Sequence, residues 1–298
     1  VLITVGACFV CHAATNLTDS TLKPPTFRDV HYGAHKRQVL DFWQASSNIT
    51  TPLLVYIHAV GWRGGDKSFA PPRLAGFLLA HGVSVASINY RYSSIAPLPA
   101  PVLDAARAIQ FIRWKAADWR LDKQHIAAAG SSAGACTTLW LAYHDDIANP
   151  KSEDPVERES SRVCAAVGVA GQTSIDPEVI AGWVGDEVLN HGMICGAVGA
   201  KSRSEMESRA AEYRELFREF SPINHVSSDD PPVFLLYSTP SPLPAPNPGT
   251  AIHHAQFGIK LKEKADAARV ACVLRYADPP EEGSVESTEF LLKYLTKS

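Results

Sequence analysis

From residue 52 onward, short apolar runs and longer stretches of helical spacing take turns along the chain. PLLVYIHA (52–59), VSVASINY (83–90), HIAAAGS (125–131), VCAAVGVAG (163–171), PPVFLLYS (231–238) and ACVLRY (271–276) read as strands. Helical patterns near 68–81, 101–117, 133–145, 257–269 and 284–297 stand between or after them. A strand that is apolar along its whole length has to be covered on both faces, and a helix between two strands carries the chain back to start the next one alongside. The pattern therefore predicts an α/β fold: a mostly parallel central sheet with helices on both faces. Residues 28–45, which include QVLDFWQA, are expected to add antiparallel strands at one edge. With 298 residues and 46% hydrophobic content, the chain can bury the core of one large domain, taken here as residues 15–298.

Two segments interrupt the alternation. Residues 172–230 separate two strands and contain KSRSEMESRAAEYRELFREF (201–220), highly charged and helical in spacing. This is read as a helical cap over the C-terminal edge of the sheet, with a solvated connecting helix as the alternative. The run TPSPLPAPNPG (239–249) has proline at every second position from Pro240 to Pro248 and is expected to be stiff and extended.

At the other end, VLITVGACFVCHAAT is apolar and then small-residue, which reads as a clipped export signal over residues 1–14, or alternatively as a buried N-terminal strand. Val5-Gly6-Ala7-Cys8 also resembles a lipoprotein box, in which Cys8 would carry a lipid anchor. The run is too short to span a bilayer. A secreted or periplasmic location is expected, without stable membrane insertion. The net charge of −3 and the dispersed Lys and Arg residues argue against a nucleic-acid partner. Cys136, Cys164, Cys195 and Cys272 stand singly, so buried free thiols are expected rather than a zinc–thiolate set or a disulfide scaffold. No metal or cofactor is expected.

The chemistry is carried by GSSAG (130–134), in which Ser132 has the G-x-S-x-G spacing. On a tight turn from strand to helix, small neighbours permit the strained backbone that pushes the serine hydroxyl out at the sheet edge, beside a helix N-terminus. The apolar IAAA precedes it and TTLWLAY follows, which makes Ser132 the candidate nucleophile.

YIHAVGWRGGDKS (56–68), INYRYS (88–93) and PAPVLDAARAIQFI (99–112), taken with GSSAG, resemble the carboxylesterase-type α/β-hydrolases of the hormone-sensitive-lipase-like, feruloyl-esterase-like and kynurenine-formamidase-like groups, over about residues 30–298. The resemblance implies a metal-free serine hydrolase that cleaves small carboxylic esters. It also implies an oxyanion hole built from the N–H groups of Ala59, Val60 and Ala133. In those groups the loop reads H-G-G-G-W or H-G-G-x-W, and here Ala59-Val60 replaces two glycines. If the loop keeps a positive φ, Val60 is strained. His58 and Trp62 are read as loop-packing residues.

The remainder of the catalytic set departs from that pattern. The family carries its acid after the strand corresponding to 232–238 and its histidine after the strand corresponding to 271–276. This chain has no Asp or Glu from 231 to 262 and no His after His254. After the last strand stand Asp278, Glu281 and Glu282. The base is therefore sought in the pair His253-His254, with His253 preferred, and the acid in Asp176, with Asp278 as its rival. An arylformamidase or amidase, and a degenerate hydrolase fold that binds a ligand without turnover, remain the alternatives.

Overall fold

The computed structural model describes residues 22–296; the leader expected at 1–14 and the lipid anchor expected at Cys8 lie outside the described residues. One sheet holds eight strands: β1 (Phe27–His31), β2 (Val39–Trp43), β3 (Thr51–Ile57), β4 (Ser84–Ile88), β5 (Leu121–Ser131), β6 (Ala166–Val169), β7 (Val233–Tyr237) and β8 (Cys272–Tyr276). Their spatial order is β1-β2-β4-β3-β5-β6-β7-β8. β2 pairs antiparallel with both β1 and β4, and all other pairings are parallel.

Ten helices accompany them among the described residues: α1 (Pro72–Ala80), α2 (Ala100–Trp114), α3 (Ala133–Tyr143), α4 (Pro177–Val184), α5 (Gly192–Ala197), α6 (Arg203–Ser208), α7 (Ala210–Glu219), α8 (Pro248–Ile252), α9 (Gln256–Ala268) and α10 (Val285–Leu295). Period-two alternation divides the strand side chains between two cores. Leu53, Val55 and Ile57 of β3 face the cluster that includes α2, α3 and α9, whereas Leu54 faces the one that includes α1 and α10. All four are fully buried, and each such side chain is worth roughly 1.5–3 kcal/mol in transfer from water.

The topology fixes where a site can lie. From β3 the chain crosses to β4 on one side, then returns past β3 to β5 on the other. Ligands bind outside the carboxyl ends of the strands at such a reversal, which here means the loop after Ile57 and the turn after Ser131. Those two ends come into unusually close contact. A Cβ on Gly134 would lie 2.1 Å from the Ile57 carbonyl oxygen, and one on Gly130 would lie 2.6 Å from the same atom. Only glycine fits at either position.

Residues 172–230 hold α4 to α7. The helical stretch expected over 201–220 forms as two helices, α6 and α7, parted at Arg209. α7 turns Tyr213 and Phe217 inward and leaves most of its length exposed. α5 reaches the loop after β3: Met193 packs beside Gly61, and Arg63 donates to the Gly192 carbonyl at 3.2 Å. The proline run differs from expectation at its end. Asn247 Oδ1 accepts from Thr250 N at 2.9 Å and Pro248 occupies the first helical position, so α8 starts inside the run.

Candidate active site

Ser132 joins β5 to α3 with φ 49° and ψ −122°, a left-handed conformation that costs a non-glycine residue of order 1–3 kcal/mol. The fully buried Ala133 opens α3, where main-chain N–H groups lack helical partners and the helix dipole is positive. The serine hydroxyl is thus aimed away from the sheet, beside an array of donors.

His253 follows the last residue of α8. Its Nε2 lies 2.9 Å from Ser132 Oγ, and its Nδ1 lies 3.1 Å from the Gly249 carbonyl oxygen one turn back. A carbonyl can only accept, so Nδ1 carries the proton and Nε2 turns its lone pair to the serine hydroxyl. Burial pushes the His253 imidazole below its ordinary value, and the bond to the Gly249 carbonyl opposes that shift. The ring of His191, at the start of α5, meets His253 edge-on with centroids 6.1 Å apart. His254 points elsewhere. Its Nε2 donates to the Ser241 carbonyl at 3.0 Å, and its Nδ1 accepts from Gln256 N at 2.9 Å, tying down the start of α9.

The expectation for the acid is corrected. Asp176 caps α4, with Oδ1 accepting from Glu178 N at 3.0 Å and Val179 N at 3.4 Å. Asp278 accepts from Thr239 N at 3.1 Å, and the Thr239 hydroxyl, followed by that main-chain bond, holds the carboxyl below the usual range. Among the described residues, no carboxylate bonds to His253; the partner of its Nδ1 is the Gly249 oxygen. Its signal is a main-chain atom, so residue types could not reveal it.

In the loop after β3, Ala59 lines the same cavity of about 570 Å³ as Ser132 and His253. Val60 adopts φ 73° with its side chain half exposed to solvent, so the strain anticipated for a β-branched residue is present. What holds the loop in this shape is the fully buried Trp62. Although it too has a positive φ (57°), its Nε1 donates to Thr137 Oγ1 of α3 at 2.9 Å. His58 is fully buried and stacked on Tyr90 with centroids 4.2 Å apart, and burial lowers its pKa to about 4. It is a neutral packing residue.

The cavity also contains two groups that sequence reasoning gave no role. Tyr56, on β3, donates to Glu282 Oε2 at 2.8 Å, and burial pushes the phenol pKa far up. Glu282 Oε1 is buried without a partner among the described residues. Glu282 stands where the resembled family would carry its histidine, and that displacement was the available clue.

A mostly parallel sheet whose order reverses at β3, with a serine on a positive-φ turn beside a histidine at that reversal, defines an α/β-hydrolase. The chain belongs to the BD-FAE family, whose model matches residues 40–246. The match includes Ser132 and the 58–65 loop and stops before His253. The chain is 26% identical over 219 residues to esterase LipQ of Mycobacterium tuberculosis, covering 72% of this chain and 49% of LipQ. It spans about half the length of the curated relatives it matches. Among solved structures, a truncated carbohydrate esterase from gut microbiota superposes with a TM-score of 0.72 at 21% identity, covering 91% of this chain and 96% of that one. Propionate-bound Est2 of Thermogutta terrifontis, an esterase, gives a TM-score of 0.61 at 19% identity, with coverage of 90% and 95%. These likenesses establish the fold.

Proposed function

We propose that the protein is a carboxylic ester hydrolase that works through an acyl-enzyme on Ser132, with His253 as general base and the Gly249 carbonyl in place of a carboxylate. The observation that carries this reading is the 2.9 Å approach of Ser132 Oγ to His253 Nε2, with the other ring nitrogen already occupied. The serine proton passes to Nε2 as Oγ bonds to the acyl carbon. The N–H groups of Ala59, Val60 and Ala133 take the negative charge on the carbonyl oxygen. His253 then gives its proton to the departing alcohol, and water, deprotonated by the same ring, releases the acid. A carbonyl dipole fixes the tautomer but brings no full charge to support the imidazolium. Burial accordingly prevails, and the His253 pKa stays below normal.

Relatives with esterase names support the ester as substrate. The test is covalent labelling with a fluorophosphonate probe, combined with hydrolysis of short-chain p-nitrophenyl esters. Ser132 is expected to carry the label, and Ser132→Ala to lose both label and turnover. Wild type without label, or a Ser132→Ala variant as active as wild type, overturns the reading.

A further inference from the structure

Where the 172–230 segment meets the far end of α3, three side chains from separate stretches of chain converge. His144 follows α3, Glu219 ends α7, and His225 closes the short 3-10 turn Pro222–His225. Each is half-buried, and each offers a donor atom within 4.8 Å of the other two. Twelve residues of helical rise place this cluster about 18 Å along α3 from Ser132, so it is no part of the serine site.

Ring hydrogen bonds decide which nitrogens remain available. His144 Nδ1 lies 2.7 Å from the Asp145 carbonyl oxygen, and His225 Nε2 lies 2.5 Å from that of Glu219. Because a carbonyl only accepts, both nitrogens carry protons, and in each neutral ring the other nitrogen keeps its lone pair. For His144 that nitrogen is Nε2, which faces Glu219 Oε1 at 2.9 Å. A lone pair and a carboxylate oxygen at this distance are held together by a shared cation, either a proton on Nε2 or a metal ion in its place. Two imidazoles and a carboxylate are a zinc donor set, and a ring N–H held by a main-chain carbonyl is the usual way a ligating histidine is oriented. In a tetrahedral shell with bonds of about 2.0–2.1 Å, neighbouring donors sit about 3.3 Å apart; His144 Nε2 and Glu219 Oε1 are 2.9 Å apart, and the whole set lies within 4.8 Å. The surroundings are firm as well. Trp140 stacks on His144 with centroids 4.1 Å apart, and its Nε1 donates to the Glu219 carbonyl at 3.0 Å.

We propose that His144, Glu219 and His225 bind a divalent transition-metal ion, Zn²⁺ foremost, which clamps the end of α7 to the end of α3. The fourth position faces solvent and takes water, which makes the ion a tether between the 172–230 segment and the core.

The test uses the full chain, stripped of metal with a chelator and titrated with Zn²⁺ at pH 7.5 by isothermal calorimetry, with Mg²⁺ as the control. One saturable Zn²⁺ site is expected, together with a Tm rise of about 5 °C at a hundredfold excess over Kd and no uptake of Mg²⁺. His144→Gln and His225→Gln should each abolish saturable uptake while hydrolysing esters as the metal-free wild type does, which shows that they fold. Absence of saturable Zn²⁺ uptake by wild type, or uptake undiminished in the double variant, overturns the proposal.

Discussion

At the scale of single residues, the site turns on one ring and what touches its two nitrogens. Burial lowers the His253 pKa, so the neutral base persists to lower pH than it would for a free imidazole. The acid limb of kcat/KM should therefore have its midpoint below 6.5, the ordinary value, and a midpoint above it would show that a carboxylate reaches the ring after all. His253→Ala should lower kcat by several orders of magnitude, whereas His254→Ala should leave kcat within a few-fold, because that ring is bonded to Ser241 and Gln256. Ser132 could be read from the sequence because its constraints are local: a serine between two glycines at a strand-to-helix turn. His253 emerged from elimination, since no histidine follows His254. Asp176 was misplaced because an Asp-Pro pair looks the same whether it caps a helix or orients a base. The histidines of the metal cluster were not paired from sequence, since 144, 219 and 225 have no ligand spacing along the chain and meet only when the end of α7 and the turn Pro222–His225 fold against the end of α3.

At the scale of elements, α4 and α8 do different work. α4 is anchored by Asp176 at its N-cap, and removal of a cap of this kind typically costs about 1 kcal/mol. Asp176→Ala should lower stability by about that amount in urea titration and leave kcat unchanged; a large loss of kcat would return Asp176 to the catalytic set. α8 is a single short helix, begun by Asn247 and Pro248, that delivers His253 to Ser132. Alternating prolines suggested a rod through residue 249, yet the same proline that stiffens an extended chain is also well suited to the first turn of a helix. Asn247, with its side-chain acceptor, decides between the two. The long apolar strands and their intervening helices were legible to within a few residues. β3 ends two residues early, at Ile57, where the chain turns out into the 58–65 loop; β5 begins four residues early, at Leu121; and β6 is trimmed to Ala166–Val169.

For the molecule as a whole, the crossing pattern accounts for the location of the site, because the reversal at β3 brings the loops after β3 and β5 together whatever their sequences. The order of apolar runs implies the parallel sheet, whereas the reversal lies in the spatial order of the strands. What the sequence could not disclose is that the histidine and its partner both come from one turn of backbone after β7, instead of from two loops. The consequence concerns robustness. The partner of His253 is an oxygen that every amino acid carries, so no replacement of a side chain can delete it. Gly249 has no positive φ, and a Cβ there would meet only Asn247 Oδ1, at 3.4 Å. Gly249→Ala should accordingly retain wild-type kcat, and a loss beyond tenfold would mean that this turn cannot hold the ring alone. An alanine scan of such a hydrolase would return a nucleophile and a base with no third hit, and a survey that scores competence by counting triad side chains would discard the protein as dead.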